Sequence, residues 1–407
     1  MTDTSRKADA GAPRLRLAWV SPITPAKLDS VTWLDTTREL RRMGMDVTLL
    51  AAGPAGVQSY RGIEVVNIPR PEIYFISRLV FHLRILRYLL PRLSQFDFIL
   101  FHPISAIWLF PLRLAGRRRP LLVMDSRDLL DFGTTTVKAR LRNGLERLTY
   151  RLATRLADGQ TAITPRLAQL VGIPPRQLWG IWPSGVDPDA FAVSRATRRW
   201  PAGGDPLRLV YVGIFLEKRH LLPLARAVRR ANDEGMAFQL SLYGDGPYRP
   251  ALETYAADAG GCVQVEKPIP YDAVPAMLST AHIGVTSLPA PDDVKYEASS
   301  PLKLFEYMAA GLPVVATSNR CHTDVVAHGG YAFWAAAPTE DELLAALRQA
   351  WAARGRLAEL GQESYAAAQD WTWAASARKL YNALAGGRRA QSVSSRALSP
   401  ASSPADH

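Results

Sequence analysis

Cysteine is nearly missing from this chain: Cys262 and Cys321 are the two in 407 residues. Two thiols cannot build a disulfide framework, so burial must hold the fold together, and reduced thiols are the expectation. Long hydrophobic runs are missing as well. The longest uncharged apolar stretch, residues 98–112, contains Pro103 and Pro111. It is shorter than the roughly 20 residues that a spanning helix needs. Residues 1–13 are polar with no apolar centre, which argues against a secretion leader. The seven histidines show no H-E-x-x-H or zinc-like spacing, and no G-x-G-x-x-G follows the first strand of either half. Ser184-Gly185 lacks the flanks of a nucleophile elbow.

Acidic residues are scarce in the first half. Residues 1–200 hold 30 Lys+Arg against 16 Asp+Glu, a balance of +14, whereas residues 201–407 hold 19 against 21, a balance of −2. The net excess of +12 therefore comes from the first half, which suggests attraction to nucleic acid, acidic lipid headgroups or a phosphorylated substrate. Against nucleic acid, the arginines are scattered along amphipathic helices and no recognition motif interrupts the pattern. Residues 74–93 carry Arg78, Arg84, Arg87 and Arg92 with no acidic residue. At helical spacing this is a basic amphipathic segment that either rests on an anionic membrane surface or packs its Leu/Ile face on a sheet.

With 48% hydrophobic and 21% charged residues the chain has ample material for folded cores. Apolar runs of strand type occur at 15–20, 46–50, 62–68, 96–101 and 120–124, interleaved with helical stretches at 31–43 and 138–158. The pattern restarts at 207–212, 238–243, 263–265, 283–287 and 313–316, again with helices between. Continuous rather than alternating runs indicate parallel sheets covered on both faces. The expectation is two doubly wound α/β domains sharing a cleft, with ligands at the carboxyl ends of the strands. Residues 193–205, with Pro201, Gly203 and Gly204, read as the linker, and 386–407 as a disordered tail.

Chemistry signals concentrate in the second half. A strand ends at Gly213, followed by Lys218-Arg219, which could neutralise phosphate; alone this is an ordinary turn with solvated cations. Tyr243-Gly244-Asp245-Gly246-Pro247 is another glycine turn after a strand. The most informative run is Ser299-Ser300-Pro301-Leu302-Lys303-Leu304-Phe305-Glu306, closed by Gly311 and a buried strand. A Ser-Ser-Pro helix start collects free N–H groups and a helix dipole, Lys303 adds a cation, and Glu306 lies one turn further in. In the first half Asp125-Ser126-Arg127-Asp128 follows a strand, where a carboxylate would serve as a base. Asp187-Pro188-Asp189 reads as turn chemistry rather than a metal string.

The run SSPLKLFEYMAAGLPVVAT resembles the donor-binding segment of family 4 and related GT-B glycosyltransferases, and YVGIFLEKR, LYGDGP, AMLSTAHIGVTS and Pro183–Asp187 agree in order. The resemblance implies a disordered start at 1–13, an acceptor-binding Rossmann-like domain at 14–192, the linker at 193–205 and a nucleotide-sugar-binding Rossmann-like domain at 206–372. It also implies a helix at 373–385 that crosses back to the first domain. Glu306 would hold the ribose, with Lys218, Arg219 and the backbone near Ser299–Lys303 on the diphosphate and Gly213 and Gly244 shaping the approach. The co-substrate would be a UDP- or GDP-linked sugar, with no metal or other cofactor. Departures exist: Ile214 stands where an arginine is usual, and Ala298 where a partner carboxylate is expected, with Glu297 one place off. Asp128 and the Thr24-Pro25-Ala26-Lys27 loop resemble inverting exopolysaccharide β-glucuronosyltransferases. That likeness puts Asp128 as catalytic base and Thr24, Lys27, Asp125 and Arg127 on the acceptor side. The +14 charge of the first half favours acidic lipid or a lipid-pyrophosphate-linked acceptor as its partner, so the expectation is a lipid-linked or glycan acceptor and a cytoplasmic enzyme at the inner face of the plasma membrane. A retaining hexosyl- or mannosyltransferase without a base stays open.

Overall fold

The computed structural model describes residues 14–25, 31–116, 119–129, 137–289 and 294–397. It divides into two compact units, Met1–Trp182 with Ala377–His407, and Pro183–Ser376. No helix among the described residues is long and apolar enough to cross a membrane.

The first unit holds β1 (Arg16–Ser21), β2 (Asp46–Ala52), β3 (Gly56–Tyr60), β4 (Ile63–Ile68), β5 (Phe98–Phe101), β6 (Leu121–Ser126), β7 (Gly159–Ala162) and β8 (Leu178–Ile181), in the order β3-β4-β2-β1-β5-β6-β7-β8. Its apolar runs are buried on both faces because successive side chains alternate. Ile99 and Phe101 join Phe81, Ile85 and Leu89 of the Tyr74–Leu89 helix on one face. Phe98 and Leu100 join Leu34 and Leu40 on the other, together with Ala377, Leu380 and Leu384. One edge departs from the expected parallel sheet, since β3 runs antiparallel to β4. Its sequence GVQSY is polar and almost wholly exposed, so no buried pattern announces it. The turn is formed by Arg61 and Gly62, both with positive φ (51° and 77°), as a tight hairpin requires.

The second unit holds β9 (Leu207–Val212), β10 (Phe238–Tyr243), β11 (Val263–Glu266), β12 (Ile283–Thr286), β13 (Val314–Thr317) and β14 (Ala332–Ala335), ordered β11-β10-β9-β12-β13-β14. All its pairings are parallel. The strand order reverses between β9 and β12, and open α/β sheets bind ligands beyond the carboxyl ends at that reversal.

The structure draws two boundaries differently from the sequence reading. Residues 193–205 are no loose linker. The Ala192–Thr197 helix and Arg198 belong to the second unit. The Arg198 guanidinium donates to the carbonyls of Leu278, Ala281, Ala310 and Gly311 at 2.8–2.9 Å. Those carbonyls lie at or just past the ends of the Val274–Leu278 and Leu302–Ala309 helices, where backbone acceptors have no intrahelical donor. Arg198→Met should therefore lower the stability of this unit by about 3 kcal/mol. A urea midpoint equal to the parent's would show that the four bonds contribute nothing net.

The second difference is at the end of the chain. Residues 386–397, expected to be disordered, continue the Trp373–Ala397 helix. Gly386-Gly387 looks like a breaker, but a Cβ on Gly387 would lie 2.3 Å from the Trp179 ring. Glycine is what lets the helix backbone close on that indole, and the packing outweighs its cost of roughly 1 kcal/mol.

Candidate functional site

The cluster forms where the second sheet reverses order. Gly213 directly follows β9 with φ +148°, and a Cβ there would stand 3.1 Å from the Lys303 ammonium and 3.3 Å from the Tyr211 hydroxyl. A side chain would crowd the cation, so glycine keeps the space in front of it open. Gly244 serves the same loop from behind. Its own Cβ would lie 1.8 Å from the Gly213 carbonyl oxygen. Gly213 N–H donates to Tyr243 O at 2.9 Å, and Phe215 N–H to Asp245 O at 2.8 Å. Gly244 thus shapes the Gly213 turn and is itself buried under it.

The Leu302–Ala309 helix supplies the charged groups. Leu304, Phe305, Tyr307 and Met308 face the core, and Tyr307 fixes the axis twice. Its hydroxyl accepts from Val212 N–H at 3.1 Å. Its ring covers Gly284 in β12, where a Cβ would come within 2.4 Å. Lys303 and Glu306, three residues apart, then fall on the remaining face, both partly buried. The Lys303 ammonium sits 4.7 Å over the Tyr211 ring. Burial, with the Arg219 charge nearby, pushes its pKa down to about 7, while Glu306 works the other way. Burial pushes Glu306 up to about 7 against the pull of Lys303 and a hydrogen bond from the Tyr271 hydroxyl. Two opposite charges are thus held at the edge of ionisation, a condition that a polar, charged ligand would change.

Lys218 and Arg219 diverge. Lys218 is exposed on the Glu217–Arg219 turn. Arg219 turns inward, its guanidinium 4.9 Å over the Tyr296 ring, and its buried Nε has no hydrogen-bond partner among the described residues. An unpaired donor on a half-buried cation beside a second cation suits an anion. The serines do not cap the helix as the sequence suggested, for its N-cap is Pro301. Ser299 donates to Tyr296 O at 2.8 Å, and Ser300 accepts from Ser184 N–H at 3.0 Å. They shape the loop ahead of the helix, and Pro301 and Leu302 are partly buried at its start. His322 is fully buried and held neutral, its pKa lowered to about 4 by burial. Its Nδ1 faces Thr317 O, an acceptor, so Nδ1 carries the proton and Nε2 accepts from Thr286 Oγ1 at 3.0 Å.

In the first unit Asp128 lies exposed just past β6. Asp125 and Arg127 do not stand open beside it. Asp125 is 3% exposed, and its Oδ1 accepts from Thr161 Oγ1 at 2.6 Å and Trp182 Nε1 at 2.9 Å. Burial nonetheless raises its pKa. Arg127 stacks 3.7 Å over the Trp182 ring and lies 3.8 Å from Asp125. Both residues that the sequence put on the acceptor side are thus held within the first unit, where Asp125 ties the end of β6 to Thr161 of β7 and to Trp182 just past β8. Thr24 is partly buried after β1, and Lys27 lies outside the described residues. Asp189 N–H donates to Asp187 Oδ1 at 3.1 Å, the turn chemistry expected there.

The aromatic partners Tyr211, Tyr271, Tyr296 and Tyr307 were not singled out from sequence. Only Tyr307 had an accessible clue, one helical position past Glu306.

Residues 206–353 match the family model described as glycosyl transferases group 1, and residues 30–190 match glycosyltransferase family 4. The protein WcaL of Salmonella typhimurium, assigned to colanic acid biosynthesis as a glycosyltransferase, is 27% identical over 235 residues, 53% of this chain and 57% of that one. The curated relatives are matched over 34% to 57% of their own length. Sucrose-phosphate synthase from Thermosynechococcus elongatus superposes with a TM-score of 0.70 at 17% identity, covering 94% of this chain and all of its own. Anabaena HepE in complex with UDP-glucose gives 0.67 at 14% identity, over 94% of this chain and 100% of that one. Two Rossmann-like units, matched in turn by these two domain families, place the chain among the GT-B glycosyltransferases with group 1 and family 4-like domains.

Proposed function

We propose that this chain transfers a sugar from a UDP- or GDP-linked donor to a lipid-pyrophosphate-linked or glycan acceptor in exopolysaccharide assembly. The carrying observation is the Gly213–Arg219–Lys303–Glu306 cluster at the strand-order reversal of the second unit. Two cations, one with an unpaired buried donor, suit a diphosphate, and a carboxylate one helical turn away suits the paired hydroxyls of a ribose. WcaL's assignment to an exopolysaccharide and HepE's UDP-glucose complex support the same reading of substrate and product.

In this reading Arg219 and Lys303 neutralise the leaving diphosphate by fixed charge, and no bound metal takes part. Asp128 removes the proton of the acceptor hydroxyl as its oxygen attacks the anomeric carbon, with inversion. An acidic sugar, glucuronate, is the donor moiety favoured by the likeness around Asp128. The test is a panel of UDP- and GDP-sugars scored by thermal stabilisation, with and without EDTA. A cognate donor at 100 times its Kd should add about 2.7 kcal/mol. EDTA should change neither that shift nor turnover. If no nucleotide-sugar stabilises the chain, the proposal fails; if EDTA abolishes turnover, the metal-free part fails. The retaining alternative is separated by the anomeric configuration of the product.

The acid–base state of the cluster gives a pH signature. Donor capture needs Lys303 charged and Glu306 ionised. Lys303, lowered to about 7, loses its proton as pH rises; Glu306, raised to about 7, gains one as pH falls. kcat/KM should therefore peak near neutrality and fall on both sides, the limbs belonging to the pair. Lys303→Arg should remove the alkaline limb. A profile flat from pH 6 to about 8.5 would contradict this assignment.

A further inference from the structure

The turn after β9 uses all but one of its main-chain donors. Gly213 N–H goes to Tyr243 O and Phe215 N–H to Asp245 O. The carbonyl of Ile214 is also taken, by the Tyr211 hydroxyl at 3.0 Å. Ile214 N–H is the exception: among the described residues no atom accepts from it. A main-chain donor with no internal partner takes one from water or from a ligand.

Its direction follows from the peptide plane. The 213–214 peptide is trans, and in a trans peptide the N–H and C=O point opposite ways. The Gly213 carbonyl oxygen faces buried Gly244, whose Cβ position lies 1.8 Å from it. Ile214 N–H therefore points away from Gly244 and from the strand behind the turn. The Lys303 ammonium stands one residue away, 3.1 Å from where a Gly213 Cβ would be. A cation and an unused N–H so close together suit oxygens of one anion. The Ile214 side chain, 49% exposed, has no polar atom, so the main chain is all that this residue can offer such a ligand.

Tyr211 fixes the arrangement. It is fully buried, with its ring 4.7 Å beneath the Lys303 ammonium. Burial pushes its phenol up to about 12, so the hydroxyl remains a donor at every working pH. With Ile214 O held by Tyr211 and Phe215 N–H held by Asp245, the peptide after Ile214 is fastened on both edges. That leaves the N–H before it little freedom to turn.

We propose that Ile214 N–H donates to an oxygen of the donor's diphosphate beside Lys303, and that Tyr211 is the positioning residue that aims it. This rests on the nucleotide-sugar reading above and adds to it a main-chain contact and the side chain that sets it.

The test replaces the Ile214 amide by an ester, using the α-hydroxy analogue of isoleucine, which deletes the N–H and keeps the side chain and the trans geometry. If the ester chain does not fold, Ile214→Pro, which also lacks the N–H, takes its place. The parent, titrated with UDP and with GDP, should bind one of them. The ester chain should bind it about tenfold more weakly or worse, the usual effect of losing a hydrogen bond to a charged group. Tyr211→Phe keeps the ring under Lys303 and should weaken binding about fivefold. Because Tyr211 acts through that N–H, Tyr211→Phe in the ester chain should weaken it no further, whereas independent effects would multiply. An ester chain within about twofold of the parent overturns the Ile214 contact. Losses that multiply in the combined chain overturn the positioning role of Tyr211. A parent that melts as a folded chain and binds neither nucleotide overturns the nucleotide-sugar reading itself, and this contact with it.

Discussion

An Asp128→Asn chain should turn over its donor roughly 10²–10⁴ times more slowly than the parent, the usual contribution of a positioned general base. The amide keeps the size of the carboxylate and removes its basicity. Asp128 is exposed just past the carboxyl end of β6, so the isosteric change leaves no cavity. The groups assigned to the donor, Arg219, Lys303 and Glu306, all belong to the other unit. Thermal stabilisation by the cognate nucleotide-sugar should therefore be the same in variant and parent. Loss of turnover with donor binding intact is the result that assigns the base. Turnover within a factor of two or so would remove Asp128 from the chemistry. It would also favour the retaining reading, in which no base is needed.

Glu306→Gln should cut kcat/KM for the donor by roughly 10², the effect of losing a charged acceptor worth about 2–3 kcal/mol. Glutamine retains one acceptor oxygen, so what disappears is charge and one of two paired bonds. Glu306 also props up the charge of Lys303, whose proton is already loosened by burial and by Arg219. Without it the Lys303 pKa should fall further below 7, and the alkaline limb of the pH profile should move to lower pH. A purely structural role would slow the enzyme without moving that limb. Donor affinity and pH profile both unchanged would show that the cluster is not where the nucleotide binds.

Much of the second unit could be read without coordinates. Its strands are short apolar runs, two of which, β9 and β10, end at Gly213 and Gly244, and Ser299–Glu306 lies at the opening of a helix whose inward face is uniformly apolar. The arithmetic of 3.6 residues per turn puts Lys303 and Glu306 together. The inward turn of Arg219 was not readable. Lys218 and Arg219 are adjacent cations, and only the seat over Tyr296 distinguishes the buried one from the solvated one. In the first unit the edge strand β3 escaped notice because it is polar and exposed, and strand periodicity is a signal of burial.

Asp125 teaches the complementary lesson. From sequence it and Asp128 are equivalent carboxylates past a strand. In the fold Asp125 is buried and pinned by Thr161 and Trp182, residues 36 and 57 positions away, whereas Asp128 lies exposed. Arg198 is similar, a linker residue in sequence and a cap for helix ends in space. The amino-acid order by itself determined the two α/β units, the glycine turns and the helix that carries Lys303 and Glu306. These follow from local periodicity and backbone stereochemistry, which act over a few residues. Tertiary structure alone decided which cation is buried, which carboxylate is spent on the sheet, and which main-chain N–H of the Gly213 turn is left without an acceptor among the described residues. Those outcomes depend on partners far apart in the chain, and burial and charge are set by what surrounds a group, whatever precedes it in sequence.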